Sequence, residues 1–185
     1  MSLLESLIRR LLADQKTVYF DRSPVFRDQI RDNPEAVPLL IKIILREAGE
    51  LARRAGEMLS LFSQPAWKPL LAALTPAAPD ERILLLGVAW AVAQNSALEQ
   101  RPAMSAEALP LLGTVLRDEA RPDPDTSNTP VEIEYPYLRV CDQAYLLLRF
   151  LENPFFDESI FRLFDDTNRN LEIQHYTGRK DLPVA

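Results

Sequence analysis

The stretch "NPEAVPLLIKIIL", residues 33–45, decides the fold. It starts at Asn33, a residue type that caps helices, and five residues later reaches Pro38 followed by two leucines. Two further stretches share this layout, "QPAWKPLLAAL" (64–74) and "SAEALPLLGTVL" (105–116), with Gln64 or the better cap Ser105 ahead of Pro69 or Pro110. A proline in the second helical turn removes one hydrogen bond and clashes with the carbonyl four residues back, so each of these helices is predicted to bend. The same device used three times points to an internal repeat rather than an accident of composition.

A second helical run follows each of the three. These runs are "GELARRAGEMLSLF" (49–62), "DERILLLGVAWAVA" (80–93) and "YLRVCDQAYLLLRFL" (137–151), and each holds a small residue at mid-helix, Ala55, Gly87 or Ala144. Measured from the preceding proline, the small residue lies at 55−38 = 17, 87−69 = 18 and 144−110 = 34. The third unit is therefore longer by about sixteen residues. Its excess, within residues 119–136, is centred on "RPDPDTSNTPVEIEYP" (121–136), which carries four prolines, four acids and one base.

The three units, about 33–62, 64–93 and 105–151, resemble HEAT repeats and the wider armadillo-like class of α-solenoids. Such repeats are helix pairs of roughly 40 residues, and here the prolines lie 31 and 41 apart. The kinked first helix of the family matches Pro38, Pro69 and Pro110. Its turn aspartate and the arginine opening the second helix find counterparts in Asp80 with Arg82 and in Asp118 with Arg139. The first unit departs, with Glu47 and Glu50 in place of the aspartate, followed by Arg53 and Arg54. The resemblance covers residues 33–152 and implies an all-α fold, a short right-handed α-solenoid in one domain spanning 1–185.

A solenoid buries each helix pair against its neighbours and needs capped ends. The middle run "ILLLGVAWAVA" is apolar all round, as a helix covered on both sides should be. Leu3, Leu4, Leu7, Ile8, Leu11 and Leu12 form one face of an amphipathic helix over 2–13, and Ser2 with Glu5 fits a capping box. A helix over 156–166, with Ile160, Phe161 and Phe164 turned inward, is expected to close the other end. The connector "DQKTVYFDRSPVFRDQIRDN" suggests a short helix near 25–30, and the polar tail from Thr167 shows weak periodicity.

Composition narrows the function. With 47% hydrophobic and 26% charged residues, the 185-residue chain reads as an ordinary globular protein. A net charge of −6 argues against nucleic acid and against a membrane surface, and leaves basic proteins as natural partners. Cys141, the single cysteine, suits a reducing compartment. "MSLLESLIRRLL" is not a secretory signal, because Glu5, Arg9 and Arg10 interrupt it. The longest uncharged run, 83–98, has sixteen residues, short of the roughly 20 a span needs. The expectation is a cytoplasmic protein.

Catalytic material is thin. His175, the single histidine, lies in the tail, and Cys141 sits near a buried helix face among Val140, Ala144, Tyr145 and Leu148. A packed, inert thiol is the reading, and one histidine with one cysteine makes no zinc site. "DDTNRNLE" places Asp166, Asn168 and Asn170 at alternate positions, but a calcium loop wants Gly and Glu where Leu171 and Thr177 stand. Phosphate-loop and dinucleotide motifs are absent, and no cofactor is expected. Trp67 and Trp90 fit core positions, Arg53, Arg54 and Glu57 a solvated face, and Asp118–Glu119 a helix terminus.

The insertion is the strongest candidate site. Its net charge is 1−4 = −3, and loops longer than ~12–15 residues are usually functional or disordered. Val131, Glu132, Ile133, Glu134 and Tyr135 alternate as an extended segment with an acidic edge. The expected contacts for a basic partner are Asp123, Asp125, Glu132, Glu134, Tyr135 and Tyr137. Small acidic HEAT-like proteins of bacteria are similar to immunity proteins that neutralise toxic effectors, and "RVCDQAYLLLRFL" is similar to segments found in them. That resemblance implies a non-enzymatic inhibitor of a basic toxin such as a nuclease. A scaffold, adaptor or assembly chaperone is the alternative. Enzymes of the class, acting on alkylated DNA or attaching bilins, fit the charge poorly.

Overall fold

The computed structural model describes residues 2–47, 49–121, 138–153 and 155–180, and every regular element among them is helical. The α-helices are α1 (Leu3–Ala13), α2 (Ala36–Arg46), α3 (Glu50–Ser60), α4 (Gln64–Leu74), α5 (Pro79–Asn95), α6 (Arg101–Val115), α7 (Val140–Glu152), α8 (Glu158–Leu163) and α9 (Asp166–Arg179). A π-helical turn, Phe26–Ile30, buries Phe26 and Ile30 where the connector was expected to hold a short helix.

The main contacts run within pairs, α2 with α3, α4 with α5 and α6 with α7. Across pairs, α3 touches α5 and α5 touches α7, while α2 touches α4 and α4 touches α6. Side-chain bonds show α4 and α5 to be antiparallel. Ser63 at the head of α4 donates to the Asn95 carbonyl at the end of α5, and Arg82 near the start of α5 reaches the Thr75 carbonyl at the end of α4. The ends of α3 and α5 are tied as well, by Asn95 Nδ2 to Ser60 Oγ at 3.0 Å.

At the centre of these contacts, α5 buries Leu85, Leu86, Val88, Ala89, Val92 and Ala93, positions that cover more than one side of the helix. Hence its apolar character on all sides: a helix with neighbours on several faces has little surface left for polar groups. Trp67 on α4 is fully buried, and its Nε1 donates to the Met104 carbonyl at 3.1 Å. That bond matters because an indole N–H left unmade in a core costs its full desolvation, about 1–3 kcal/mol. Trp90 is only half-buried and stacks on Phe150.

The helix starts differ from the sequence expectation in physically clear ways. Ser105 lies buried inside α6, which begins four residues earlier at Arg101 and carries Pro102 in its first turn. Pro38 stands in the first turn of α2, where its missing N–H has no intrahelical acceptor to lose. Pro69 and Pro110 are true helix-interior prolines, so only these two deprive a carbonyl one turn back of its donor. Ser2 caps α1 through Oγ, accepting from the Glu5 N–H at 3.1 Å. The Glu5 carboxylate turns to Arg9 and Lys42, so only half of the expected capping box forms.

Both ends hold surprises. Arg54, expected on a solvated face, is 6% exposed and donates to the carbonyls of Leu12, Asp14 and Thr17 at 2.7, 3.1 and 2.7 Å. It closes the C-terminus of α1 and lies 4.8 Å over the Phe20 ring. At the other end α8 is short, burying Phe161 but leaving Ile160 exposed. The cover comes from α9, in the tail where no helix was expected, which buries Ile173 and Tyr176 and starts on the Asp165 side-chain cap. Asp166, Asn168 and Asn170, which fail the calcium-loop pattern, lie in the opening turns of this helix.

Candidate functional site

The insertion leaves α6 after Val115 and returns at α7, and its two ends are bonded to each other. Asp118 is the clamp. Its carbonyl accepts the Cys141 N–H at 2.8 Å, while the Val140 N–H donates to the Ala120 carbonyl at 2.9 Å. Its carboxylate accepts from the Ala120 N–H at 3.1 Å and from Arg82 Nη1 at 2.7 Å. The turn aspartate of the third pair therefore joins the arginine that opens the second helix of the pair before it.

Beneath the clamp lies a buried ion network. Asp142 is 0% exposed and accepts from Arg139 through the backbone N–H, Nε and Nη2, at 3.0, 3.1 and 2.9 Å. Arg169 on α9 reaches the same carboxylate at 3.4 Å, and Arg139 Nη2 also donates to Asn170 Oδ1 at 2.8 Å. Arg121 pairs with Asp166, which also neighbours Arg139 and Arg169. The hydrogen bond from Arg121 holds the Asp166 carboxyl below the ordinary carboxylate range. Burial opposes the charge on Arg139, but its bonds to Asp142 and the acids around it outweigh that and hold the guanidinium more basic than usual.

Four guanidinium groups, Arg82, Arg121, Arg139 and Arg169, thus meet four carboxylates, Asp118, Glu119, Asp142 and Asp166. An ion pair taken from water repays its desolvation only when its hydrogen bonds are complete, and Asp142 meets that condition with bonds to both oxygens. The network joins α7 to α9, and through Arg121 it fastens the start of the stretch 121–136. It is the root of the insertion.

Expected site residues Asp123, Asp125, Glu132, Glu134, Tyr135 and Tyr137 lie outside the described residues. Residues 122–136, which follow Arg121, contain four acids and no base. Cys141 is buried beside Asp142, and burial first, then that carboxylate, pushes its thiol up to about 12. Such a thiol carries almost no thiolate at neutral pH and is a poor nucleophile. His175 is exposed on α9. Among the described residues no group of three His, Cys, Asp or Glu side chains is placed to hold a metal ion, and no helix is long and apolar enough to cross a membrane.

A second surface feature lies on the α3–α5 side, a groove of about 620 Å³ lined by Tyr19, Arg53, Gly56, Glu57, Leu61 and Ala91. Its arginine is held between Glu50 and Glu57 on its own helix, so the rim is more acidic than basic. Sequence reading missed the root because its members are scattered, from Arg82 to Asn170. Its signals in the sequence are the turn aspartate Asp118 with Arg139, and Arg139 with Asp142 three apart on a largely apolar helix. No family model matches the chain, and neither any curated protein nor any solved structure matches it.

Proposed function

We propose that the protein is a non-enzymatic, cytoplasmic protein-binding module that uses its acidic insertion to bind and neutralise a basic protein, in the manner of an immunity protein. The helix pairs act as a short right-handed HEAT-like solenoid, and the alternating contacts of α2–α4–α6 and α3–α5–α7 support that reading. One observation carries the function: the two backbone bonds that fasten residues 118–120 to 140–141. They tie the flanks of an acid-rich segment to each other, and an anchored segment loses less freedom on binding than a free tail. Asp123, Asp125, Glu132 and Glu134 supply the charge, and Tyr135 and Tyr137 the contact area.

The test is a pull-down with the intact chain and with residues 122–134 replaced by a short Gly-Ser linker, followed by the partner's own activity. A basic partner that is retained by the intact chain, lost with the linker variant and inactive in the complex supports inhibition. A partner that stays active in the complex points to an adaptor or assembly chaperone. Retention by both chains assigns binding to the helical surface and overturns the role of the insertion.

A further inference from the structure

At the edge opposite the insertion, the start of α6 meets the end of α7. Arg101, the first residue of α6, lies there over the Phe150 ring, 4.3 Å from the centroid, and Phe150 stacks with Trp90 at 4.7 Å. Arg101 is 8% exposed, yet among the described residues its guanidinium makes no hydrogen bond and no ion pair. Its Nε is sealed from solvent without a partner, whereas Nη1 and Nη2 are not sealed. The root of the insertion shows the contrast, since buried Arg139 donates through Nε and Nη2 and pairs Nη1 with Glu119 at 3.8 Å.

A buried lysine or histidine without a partner escapes by losing its proton, a route closed to arginine. The cation–π contact with the ring offsets part of the cost but supplies no acceptor for the N–H donors. The in-plane N–H donors, arranged as a fork, are left for an acceptor. The chain's nearby acids do not serve: Glu99 is exposed and makes no ion pair, and Glu107 is committed to Lys68 at 3.2 Å. We infer that Arg101, held on the Phe150–Trp90 stack, is a binding site for an external oxyanion, a carboxylate or phosphate group taken bidentately by the guanidinium fork. The site is separate from the insertion and opposite in charge. It gives this acidic chain one place that receives an acidic group.

Trp90 reports on the site directly. The intact chain is titrated with inorganic phosphate and with N-acetylglutamate, against sodium chloride at matched ionic strength, following tryptophan fluorescence and the thermal midpoint. Trp67, buried and bonded to Met104, contributes a constant background. Expected is a saturable fluorescence change with a rise in midpoint, weakened at least tenfold in Arg101→Gln. Tighter binding of phosphate assigns the site to a phosphorylated group, and tighter binding of N-acetylglutamate assigns it to a protein carboxylate. Should Arg101→Gln fail to fold, Arg101→Lys, which keeps the charge but not the fork, must bind at least threefold more weakly than the intact chain. The proposal is overturned if neither anion acts differently from chloride, or if the folded variant binds as the intact chain does.

Discussion

Arg54 on α3 and Leu12 on α1 are joined through the arginine Nε and the leucine carbonyl at 2.7 Å, across 42 residues of sequence. The same guanidinium takes the Asp14 and Thr17 carbonyls, so one side chain closes the end of a helix and the turn beyond it. Arg54→Met would keep much of the buried volume and strand those acceptors. Hydrogen bonds to a charged group contribute about 1.5–3 kcal/mol each, with the acceptors near solvent recovering part by hydration. A loss of about 3 kcal/mol is expected, read as a lower urea midpoint at an unchanged slope, and Arg54→Lys should restore only a minor share. A loss under about 0.5 kcal/mol, the range of ordinary surface changes, would mean the bonds are exchanged for water without cost.

Asp142 and its two arginines predict a non-additive pattern. Removing the carboxylate alone, as in Asp142→Asn, leaves Arg139 buried with its main counter-charge gone and should cost about 3–5 kcal/mol. Replacing both members with apolar residues, Asp142→Leu with Arg139→Met, removes the unpaired charge and should cost clearly less than the sum of the single changes. A double-mutant cycle by urea unfolding measures the difference. Additive losses would show that the pair is not coupled, against the bonds at 2.9 and 3.1 Å.

Legibility in the sequence followed how local the cause was. The apolar run of α5 and the leucine face of α1 announce themselves because their neighbours in space repeat at helical spacing. Arg53 and Arg54 look alike in sequence, yet one lies between Glu50 and Glu57 at the surface and the other plugs α1. Only the position of a distant segment separates them. The last helix, α9, escaped notice because it buries just Ile173, Tyr176 and the stem of Arg169, while Leu171 faces solvent. Ser105 has the residue type of a cap, but Arg101 and Pro102 have already started the helix. For the candidate site, sequence singles out the stretch between α6 and α7, while the fastening of its flanks depends on Arg82, Asp118 and α9, whose meeting is a tertiary fact.

Cys141 should be silent in the native state. The thiol is buried, and burial with the nearby Asp142 carboxylate pushes its pKa from 9.0 up to about 12. Labelling by a thiol reagent at pH 8 should be slow in buffer and should accelerate with urea in step with global unfolding. Linkage fixes the sign of the alkaline response. Because the folded pKa is raised, the thiol's contribution is fully present below pH 9 and is lost as pH climbs toward about 12. Cys141→Ala should flatten that alkaline slope. Rapid stoichiometric labelling in native buffer would contradict the burial.

Fastened ends make the insertion removable. With Ala120 bonded to Val140 and Asp118 to Cys141 on its two flanks, a four-residue Gly-Ser linker in place of residues 122–136 is expected to leave α6 and α7 where they are. Closing a shorter loop costs less chain entropy, by about 1 kcal/mol for this change in length. The shortened chain is therefore expected to melt at the same temperature or a few degrees higher while losing the proposed basic partner. Substituting the clamp gives the opposite combination. Asp118→Ala removes the acceptor of Arg82 and of the Ala120 N–H, and should lower the melting temperature with all four insertion acids still present. Calorimetry on both variants, beside the partner-binding assay, separates presentation of the segment from the segment itself. If shortening the loop unfolds the chain, residues 122–136 contribute to the core, and the picture of an insertion on an independent root is wrong.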